Sequence, residues 1–408
     1  MAGVASAPGL KAQENDLLNQ YVRQAAENNP GVQASFQLYY AALERVPQVG
    51  ALPDPKVTLG YYIPSMEYHM STGVFDLGLS QSFPWFGTLQ AKKDEAARQA
   101  EARYQVFLKA RNDLFYEVKS AYYELYANQK SISITEDYLE ILRKDERLAL
   151  NRVEAGRASM SDVLRVQMEI KENQTQLDFF KDQQETLRTH FNALLNRRAA
   201  EPVPVADSIP AVLLGQEREA LLDSVLQHNP ELNRLHREDA ALESRIKVAQ
   251  KSGMPSFDLG MSYAKMDPRA NQGIASGGRD MLMPMVTLHI PLYRKKYKAM
   301  VKEARLQRRS VQQEIVDLQN TLQADLVSAI NRYKDAQRQV TLYKELLVQA
   351  RQTLNILTAA YMGGEEDYEE VLRVEQQLLR YRLALENSRA DLNTSVALVE
   401  KLWAKDIE

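Results

Sequence analysis

Five carboxylates stand within six residues late in the chain, in the segment GGEEDYEE. They are Glu365, Glu366, Asp367, Glu369 and Glu370. Carboxylates held around one opening attract cations and repel one another, which is the chemistry of a selective aperture. The same charges would also stabilise a helix that begins there, because negative charge is favourable at a helix N-terminus. We expect both effects, and we take Glu370, Asp367 and Glu366 as candidate aperture residues.

Methionine and histidine form two further groups whose side chains could bind a soft metal ion. The first comprises Met66, His69 and Met70, and the second comprises Met281, Met283 and Met285. Thioether and imidazole ligands suit Cu(I), but methionine is also a common apolar filler, so we predict no metal site. The chain has no P-loop, no dinucleotide fingerprint and no nucleophile elbow. We therefore expect no enzyme activity and no cofactor.

The overall composition excludes several other classes. The chain has 408 residues, no cysteine and a net charge of −3. A weakly acidic protein is a poor ligand for the phosphate backbone, so we expect no nucleic-acid partner. Without cysteine there is no disulfide, no thiolate metal site and no cysteine-linked lipid in this chain. The chain contains no run of 18 apolar residues, so the sequence predicts no transmembrane helix.

A repeated pentad reveals the organisation of the chain. DVLRV at 162–166 and EVLRV at 370–374 lie 208 residues apart, and each follows a glycine. Other landmarks recur in the same order, such as PKVTLGYY with PSFDLGMSY and SQSFPWF with TLHIPLY. Two similar coiled-coil stretches would explain the pentad but not the proline-led landmarks. We therefore predict two repeats, residues 1–210 and residues 211–408.

Each predicted repeat contains a belt helix, two strands, a long helix and a return helix. The first consists of a belt helix, strands 56–63 and 73–83, a long helix 88–155, a return helix 159–201 and a linker 202–215. The second consists of a belt helix 216–229, a helix 230–252, strands 256–266 and 282–290, a long helix 292–362 and a return helix 365–408. The long helices contain no Gly or Pro, and their length is typical of coiled coils or helical tubes.

Each long helix is predicted to end at a glycine turn and to reverse. Gly156 can adopt the left-handed conformation that follows a helix C-terminus. Ser159 and Asp162 then form the capping-box pattern of a new helix. The corresponding residues of the second repeat are Gly363, Gly364, Asp367 and Glu370.

The four strand candidates alternate apolar residues with small or polar ones, which indicates a sheet with two different faces. Their length suits tilted membrane strands. Four strands leave two open edges, which neither water nor lipid tolerates well, so we expect three chains to close a twelve-stranded barrel. Asp76, Asp258 and His289 would then line the aqueous lumen. The predicted fold is mostly α, with a trimeric membrane β-barrel carried on a long α-helical barrel.

These motifs resemble those of a known family. The segments ALPDP, FPWFG, RVEAGRASMSDVL and NALLNR are similar to those of the TolC family of outer-membrane efflux proteins. The sequences of these motifs most resemble those of the heavy-metal branch of the family, typified by CusC and CzcC. The resemblance covers about residues 15–402. It implies a homotrimer in the outer-membrane lipid of a Gram-negative bacterium, with the helical part in the periplasm.

The resemblance also implies partners and sites. Such a channel is the passive exit duct of a tripartite efflux pump, and it docks to a periplasmic adaptor and, through it, to an inner-membrane pump. The residues implied for adaptor docking are Arg152, Gly156, Arg157, Ser159, Tyr361, Gly363 and Gly364. The family pattern places Glu370 at the closed aperture, and we add Asp162 as its counterpart in the first repeat. A second acidic residue often follows VL in the family, whereas this chain has Arg373 there.

Other functions remain open from the sequence alone. The same fold serves drug efflux and type I secretion, and the residues of the chain do not identify the cargo. Heavy-metal cations are favoured only by the similarity of the motif sequences to the heavy-metal branch. The alternative from a different class is a soluble coiled-coil scaffold whose strand segments form a small hairpin domain; a detergent-free monomer with no β content would favour it.

Overall fold

The computed structural model describes residues 8–61, 73–156, 159–215, 217–266 and 280–404. The chain folds into two compact units that are interleaved in sequence. Unit 1 consists of Met1–Ser35, Phe107–Pro230 and Leu318–Glu408, and unit 2 consists of Phe36–Val106 and Glu231–Asp317. The predicted site residues at the helix turns lie in unit 1, and those on the strands lie in unit 2.

The described residues form helices and one antiparallel sheet. The helices are α1 (Pro8–Asn28), α2 (Pro30–Gly50), α3 (Thr88–Glu154), α4 (Met160–Leu194), α5 (Arg218–His228), α6 (Pro230–Lys251), α7 (Arg294–Gly363) and α8 (Tyr368–Trp403). The strands are β1 (Lys56–Tyr61), β2 (Gly73–Phe83), β3 (Ser256–Met266) and β4 (Met281–His289). No helix among these residues is long and apolar enough to cross a membrane.

Aromatic residues dominate the core of unit 1. Tyr122 and Tyr126 of α3 and Phe191 of α4 are almost fully buried, and they pack with residues of α1. The ring of Tyr21 meets that of Phe191 edge to face at 5.1 Å, and its hydroxyl donates to the carbonyl of Pro204 at 3.2 Å. The linker after α4 is thereby fixed to the core, because a buried phenol needs a partner for its hydroxyl group.

Two asparagines make equivalent contacts in unit 1. Asn29 stands before Pro30 and donates from Nδ2 to the carbonyl of Leu194, at the end of α4, at 2.9 Å. Asn229 stands before Pro230 and donates to the carbonyl of Leu402, at the end of α8, also at 2.9 Å. Each bond satisfies a carbonyl at a helix C-terminus that has no partner within its own helix. The matching contacts agree with the predicted duplication, which stays a prediction.

The sheet of unit 2 has the order β1-β2-β3-β4, and all its neighbours are antiparallel. Its register pairs Leu59 with Leu77 and Leu77 with Tyr263, so one apolar face runs across the strands. Large side chains of this face are exposed, as shown by Leu59 at 68% and Val286 at 74%. The outer strands β1 and β4 each keep one unpaired edge in the single chain.

Several predicted boundaries are corrected by the structure. The return helix 159–201 ends at Leu194, because Asn196 adopts a left-handed backbone with φ 54°. The side chain of Asn192 then donates to the carbonyls of Ala199 and Glu201, which holds the following turn. The return helix 365–408 begins only at Tyr368, because Asp367 is extended, and it ends at Trp403, because Ala404 adopts a left-handed backbone with φ 53°.

The remaining boundaries move by one or two residues. The belt helix 216–229 is Arg218–His228, the long helix 292–362 is Arg294–Gly363, and the strand 282–290 is Met281–His289. Residues 62 and 63, at the end of the predicted strand 56–63, lie outside the described part of the chain.

Candidate functional site

The first hairpin turn lies between α3 and α4, and its described residues have the predicted chemistry. Gly156 has φ 68°, the left-handed conformation that glycine adopts without steric cost. The Ser159 hydroxyl accepts from the backbone N–H of Ser161 at 3.2 Å. The Asp162 carboxylate accepts from the N–H of Ser159 at 3.3 Å, which completes a capping box. Arg157, a predicted docking residue, lies outside the described residues.

The second hairpin turn, residues 364–367, joins α7 to α8 and differs from the prediction. Gly364 has φ 80°, as expected of a turn that ends a helix, and Gly363 is the last residue of α7. Asp367 is the N-cap of α8, but its side chain makes no capping hydrogen bond. The capping box predicted for Asp367 and Glu370 is therefore wrong, because the Glu370 carboxylate pairs with Arg373 instead.

Side chains connect the two hairpins within the chain. The Arg152 guanidinium lies 4.1 Å from the ring centroid of Tyr361 and donates to the Tyr361 carbonyl at 3.1 Å. Arg165 lies 2.8 Å from the Glu369 carboxylate and 3.9 Å from that of Asp162. Two predicted docking residues, Arg152 and Tyr361, are thus in contact, and Asp162 shares a cation with the acidic segment of the other hairpin.

The acidic segment is only partly neutralised. Glu370 and Glu369 pair with arginines, whereas Glu366 and Asp367 have no ion pair with another described residue. Glu366 and Asp367 are exposed, so their charge is available to solutes. Sequence reasoning missed the arginines, although Arg165 and Arg373 occupy the same place in the repeated pentad. An acid and an arginine three residues apart on a helix are close enough to pair.

A buried carboxyl pair lies behind the turns and was also missed. Asp145 of α3 and Glu375 of α8 interact, and each has one carboxylate oxygen that is buried without a hydrogen-bond partner among the described residues. Burial raises the pKa of Asp145. Burial and the negative charge of Asp145 raise the pKa of Glu375 to about 8. The pair therefore holds a proton at neutral pH, since two close carboxylates resist ionising together.

Tyrosines surround the carboxyl pair. Tyr138 and Tyr368 belong to the apolar cluster between α3 and α8, and both hydroxyls are buried. Burial raises the pKa of each phenol, and nearby carboxylates raise it further, with Glu169 the largest of these for Tyr138 and Asp145 the largest for Tyr368. The tyrosines thus stay neutral, and the carboxyls hold the ionisable charge of this cluster. Glu375 sits five residues beyond the acidic segment, four and three residues after the buried Val371 and Leu372. This helical spacing is the sequence signal that could have indicated its burial.

The three predicted lumen residues lie on one face of the sheet. Asp76 accepts a hydrogen bond from Ser262, and Asp258 accepts one from Ser82. His289 Nδ1 lies 3.9 Å from the Asp258 carboxylate. This polar face also carries three methionines of β4. The register pairs them with small residues of β3: Met281 with Ala264, Met283 with Ser262 and Met285 with Gly260.

The arrangement supports attraction of cations but no recognisable bond-making chemistry. Within the described ranges, no group of three or more His, Asp or Glu side chains could hold a metal ion. The first methionine group, Met66, His69 and Met70, lies outside the described residues. The described polar residues concentrate charge at the hairpin turns and on one sheet face.

The fold is shared with solved outer-membrane channels. CusC has 16% identity and a TM-score of 0.81, with 95% of this chain and 92% of that chain covered. VceC from Vibrio cholerae has 17% identity and a TM-score of 0.80, with 99% and 100% covered. The open state of MtrE from Neisseria gonorrhoeae has 15% identity and a TM-score of 0.76, with 98% and 93% covered. At these identities the likeness concerns the fold alone.

The sequence also matches the outer membrane efflux protein family, over residues 21–197 and 221–405. Membership of this family implies a trimeric channel in a tripartite pump. The match covers most of the chain, and both strand pairs and both hairpin turns lie within it. The chain therefore belongs to the family of outer membrane efflux proteins, and it is a non-enzymatic outer-membrane channel with a periplasmic helical extension.

Proposed function

We propose that three copies of this chain form the exit duct of a tripartite efflux pump, as a passive conduit from the periplasm to the exterior. The observation that carries the proposal is the four-stranded sheet with two unpaired edges and an exposed apolar face. Neither water nor lipid stabilises such edges. Pairing of β1 of one copy with β4 of the next satisfies both edges and makes a barrel of twelve strands.

Cysteine cross-linking tests this assembly, because the natural chain has no cysteine that could react in the background. A cysteine replaces Leu59 on β1, and a second is scanned along β4 at Leu282, Val286 and Leu288. At least one pair should give a covalent trimer on a denaturing gel. A chain with its cysteine at Leu77 of the central strand β2 is the matched control. Failure of every edge pair to cross-link would contradict the assembly.

We assign the hairpin turns to partner docking. The residues proposed to contact the periplasmic adaptor are Arg152, Gly156, Arg157, Ser159, Tyr361, Gly363 and Gly364. The contact of Arg152 with Tyr361 supports this assignment, because it gives the adaptor a preformed surface. A photocrosslinker at Ser159 should capture the adaptor in cells, whereas one at Lys334, on the exposed face of α7, should not. The inner-membrane pump would be reached through the adaptor.

We assign the aperture to Glu370, Asp367, Glu366 and Asp162, and the aqueous lumen of the barrel to Asp76, Asp258 and His289. Conductance of the purified trimer in planar bilayers measures both assignments, because a carboxylate ring favours cations. A detergent-purified monomer that never conducts would favour a scaffold instead of a duct.

For the cargo we propose heavy-metal cations, with drugs or secreted polypeptides as the alternatives. Met281, Met283 and Met285 support this choice because they place thioethers on the polar face of the sheet, where soft cations would pass. A strain lacking the chain should become sensitive to Ag(I). Replacing the three methionines with leucine should reproduce part of that sensitivity, whereas Met261→Leu on the apolar face should not. Full resistance of the triple variant, together with drug sensitivity of the deletion strain, would favour drug efflux.

A further inference from the structure

Basic residues follow the last strand at once, in the segment PLYRKKYKAMVKEAR. Four of them form what we call the basic stripe: Arg294, Lys298, Lys302 and Arg305. Their spacing places them on one face of α7, because residues three or four apart are neighbours on a helix. All four are exposed. No carboxylate within the described part of the chain lies close enough to pair with any of them. The net charge of the whole chain is negative, so this is a local excess.

The basic stripe lines a cavity of about 470 Å³ against the end of α6. Arg294 lines this cavity and donates from Nη1 to the Gly253 carbonyl at 2.9 Å. The other walls are partly apolar, with Met254, Tyr297 and Val301. Met254 is 46% exposed. Cations beside exposed apolar surface fit a ligand that has both an anionic and a hydrocarbon part.

Polarity changes in a definite order along the chain at this point. The apolar face of β4 comes first, then the exposed Leu292 and Tyr293, and then the basic stripe. Phe86, between β2 and α3, is a further exposed aromatic residue where a strand is followed by a helix. A membrane protein shows the same order across one leaflet. Apolar side chains contact the acyl chains, aromatic rings lie at the interface, and cationic side chains contact the headgroups.

We propose that the basic stripe binds the headgroups of anionic phospholipids in the leaflet at this end of the strands. Charge complementarity and continuity with the apolar sheet face carry the inference. It rests on the proposed function only for the placing of the sheet in the membrane. The cations therefore fix the depth of the channel in the bilayer and select lipids with a net negative charge.

The test uses the full-length trimer in detergent with added dioleoyl-phosphatidylglycerol or dioleoyl-phosphatidylcholine, which have the same acyl chains. The lipids retained per trimer are counted by native mass spectrometry. The variant K298Q/K302Q/R305Q leaves the Arg294 hydrogen bond intact. The control K334Q/K344Q/R351Q removes the same residue types from exposed positions further along α7.

The natural trimer and the control should prefer the anionic lipid, and the variant should lose about fivefold of that preference for each cation removed. In the natural trimer the preference should fade at high salt, because exposed charges are screened. Equal retention of both lipids by the natural trimer would overturn the proposal even if the variant failed to fold. So would a variant whose trimer dissociates in both lipids alike, since the cations would then contact a neighbouring subunit. Trimer formation, measured in the same spectra, reports on the proposed assembly separately.

Discussion

Replacing Glu375 with glutamine tests the buried carboxyl pair behind the hairpin turns. In the folded chain the pKa of Glu375 is raised from its ordinary value of 4.5 to about 8. Opening of the first turns of α8 would expose this carboxyl to water and restore its ordinary pKa. The closed state thus keeps a proton that the open state releases above about pH 4.5. The free energy of opening therefore falls as the pH rises, and the loss is complete once the pH passes about 8.

The magnitude follows from the width of that window. Each pH unit inside this window, from about pH 4.5 to about pH 8, lowers the free energy of opening by about 1.4 kcal/mol. Between about pH 5.5 and pH 7.5 the free energy of opening should fall by roughly 2 to 3 kcal/mol, which is of the order of a hundredfold in the opening equilibrium. The raised pKa of Asp145 acts in the same direction. Glutamine has no proton to lose, so Glu375→Gln should remove most of this dependence.

Hydrogen exchange of the α8 amides measures the effect, after correction for the intrinsic dependence of exchange on pH. Peptides covering residues 368–380 should lose protection with rising pH in the natural chain and lose much less in Glu375→Gln. Glu345→Gln removes an exposed glutamate of α7 and should behave as the natural chain. Protection that does not change with pH in the natural chain would refute the reasoning, as would an unchanged slope in Glu375→Gln.

Three further predictions concern the turns. Ser159→Ala removes a capping bond and should destabilise the start of α4 by about 1 kcal/mol, measured by hydrogen exchange there. Gly364→Ala should lower the free energy of unfolding by about 1–2 kcal/mol, because φ 80° is unfavourable for alanine. The control Gly363→Ala lies at an ordinary helical position and should lower it little. Equal losses of stability in thermal unfolding would contradict this. Glu370→Ala should release Arg373 and loosen the resting aperture, and unchanged bilayer conductance and cation preference would count against its role.

The sequence predicted the elements well where local chemistry determines them. The Gly156 turn with its Ser159 cap and the alternation of β2 follow from residues near one another in the chain, and the structure has both. Helix ends without glycine or proline were harder, as at Leu194, where Asn196 supplies the left-handed residue. The pattern at Asp367 and Glu370 misled because a nearby arginine competed for the carboxylate.

Contacts between distant segments lay beyond reach of the sequence. The meeting of Asp145 with Glu375 depends on which faces of α3 and α8 pack together, and hydrophobic periodicity alone does not give that pairing. The same is true of Arg165, whose second partner, Glu369, belongs to the other hairpin. Fold and family were therefore predictable, whereas the electrostatic contacts between the hairpins required the three-dimensional arrangement.

The pairing of β2 with β3 has a consequence for how the chain matures. Phe83 faces Phe257 across this ladder, and the two residues are about 170 positions apart in the chain. β1 and β2 therefore lack β3 as a partner until residues 256–266 have been exported to the same compartment. Pairings this remote form slowly, and exposed strands invite aggregation meanwhile. A newly exported chain should consequently depend on periplasmic chaperones that shield β1 and β2 until β3 has also been exported.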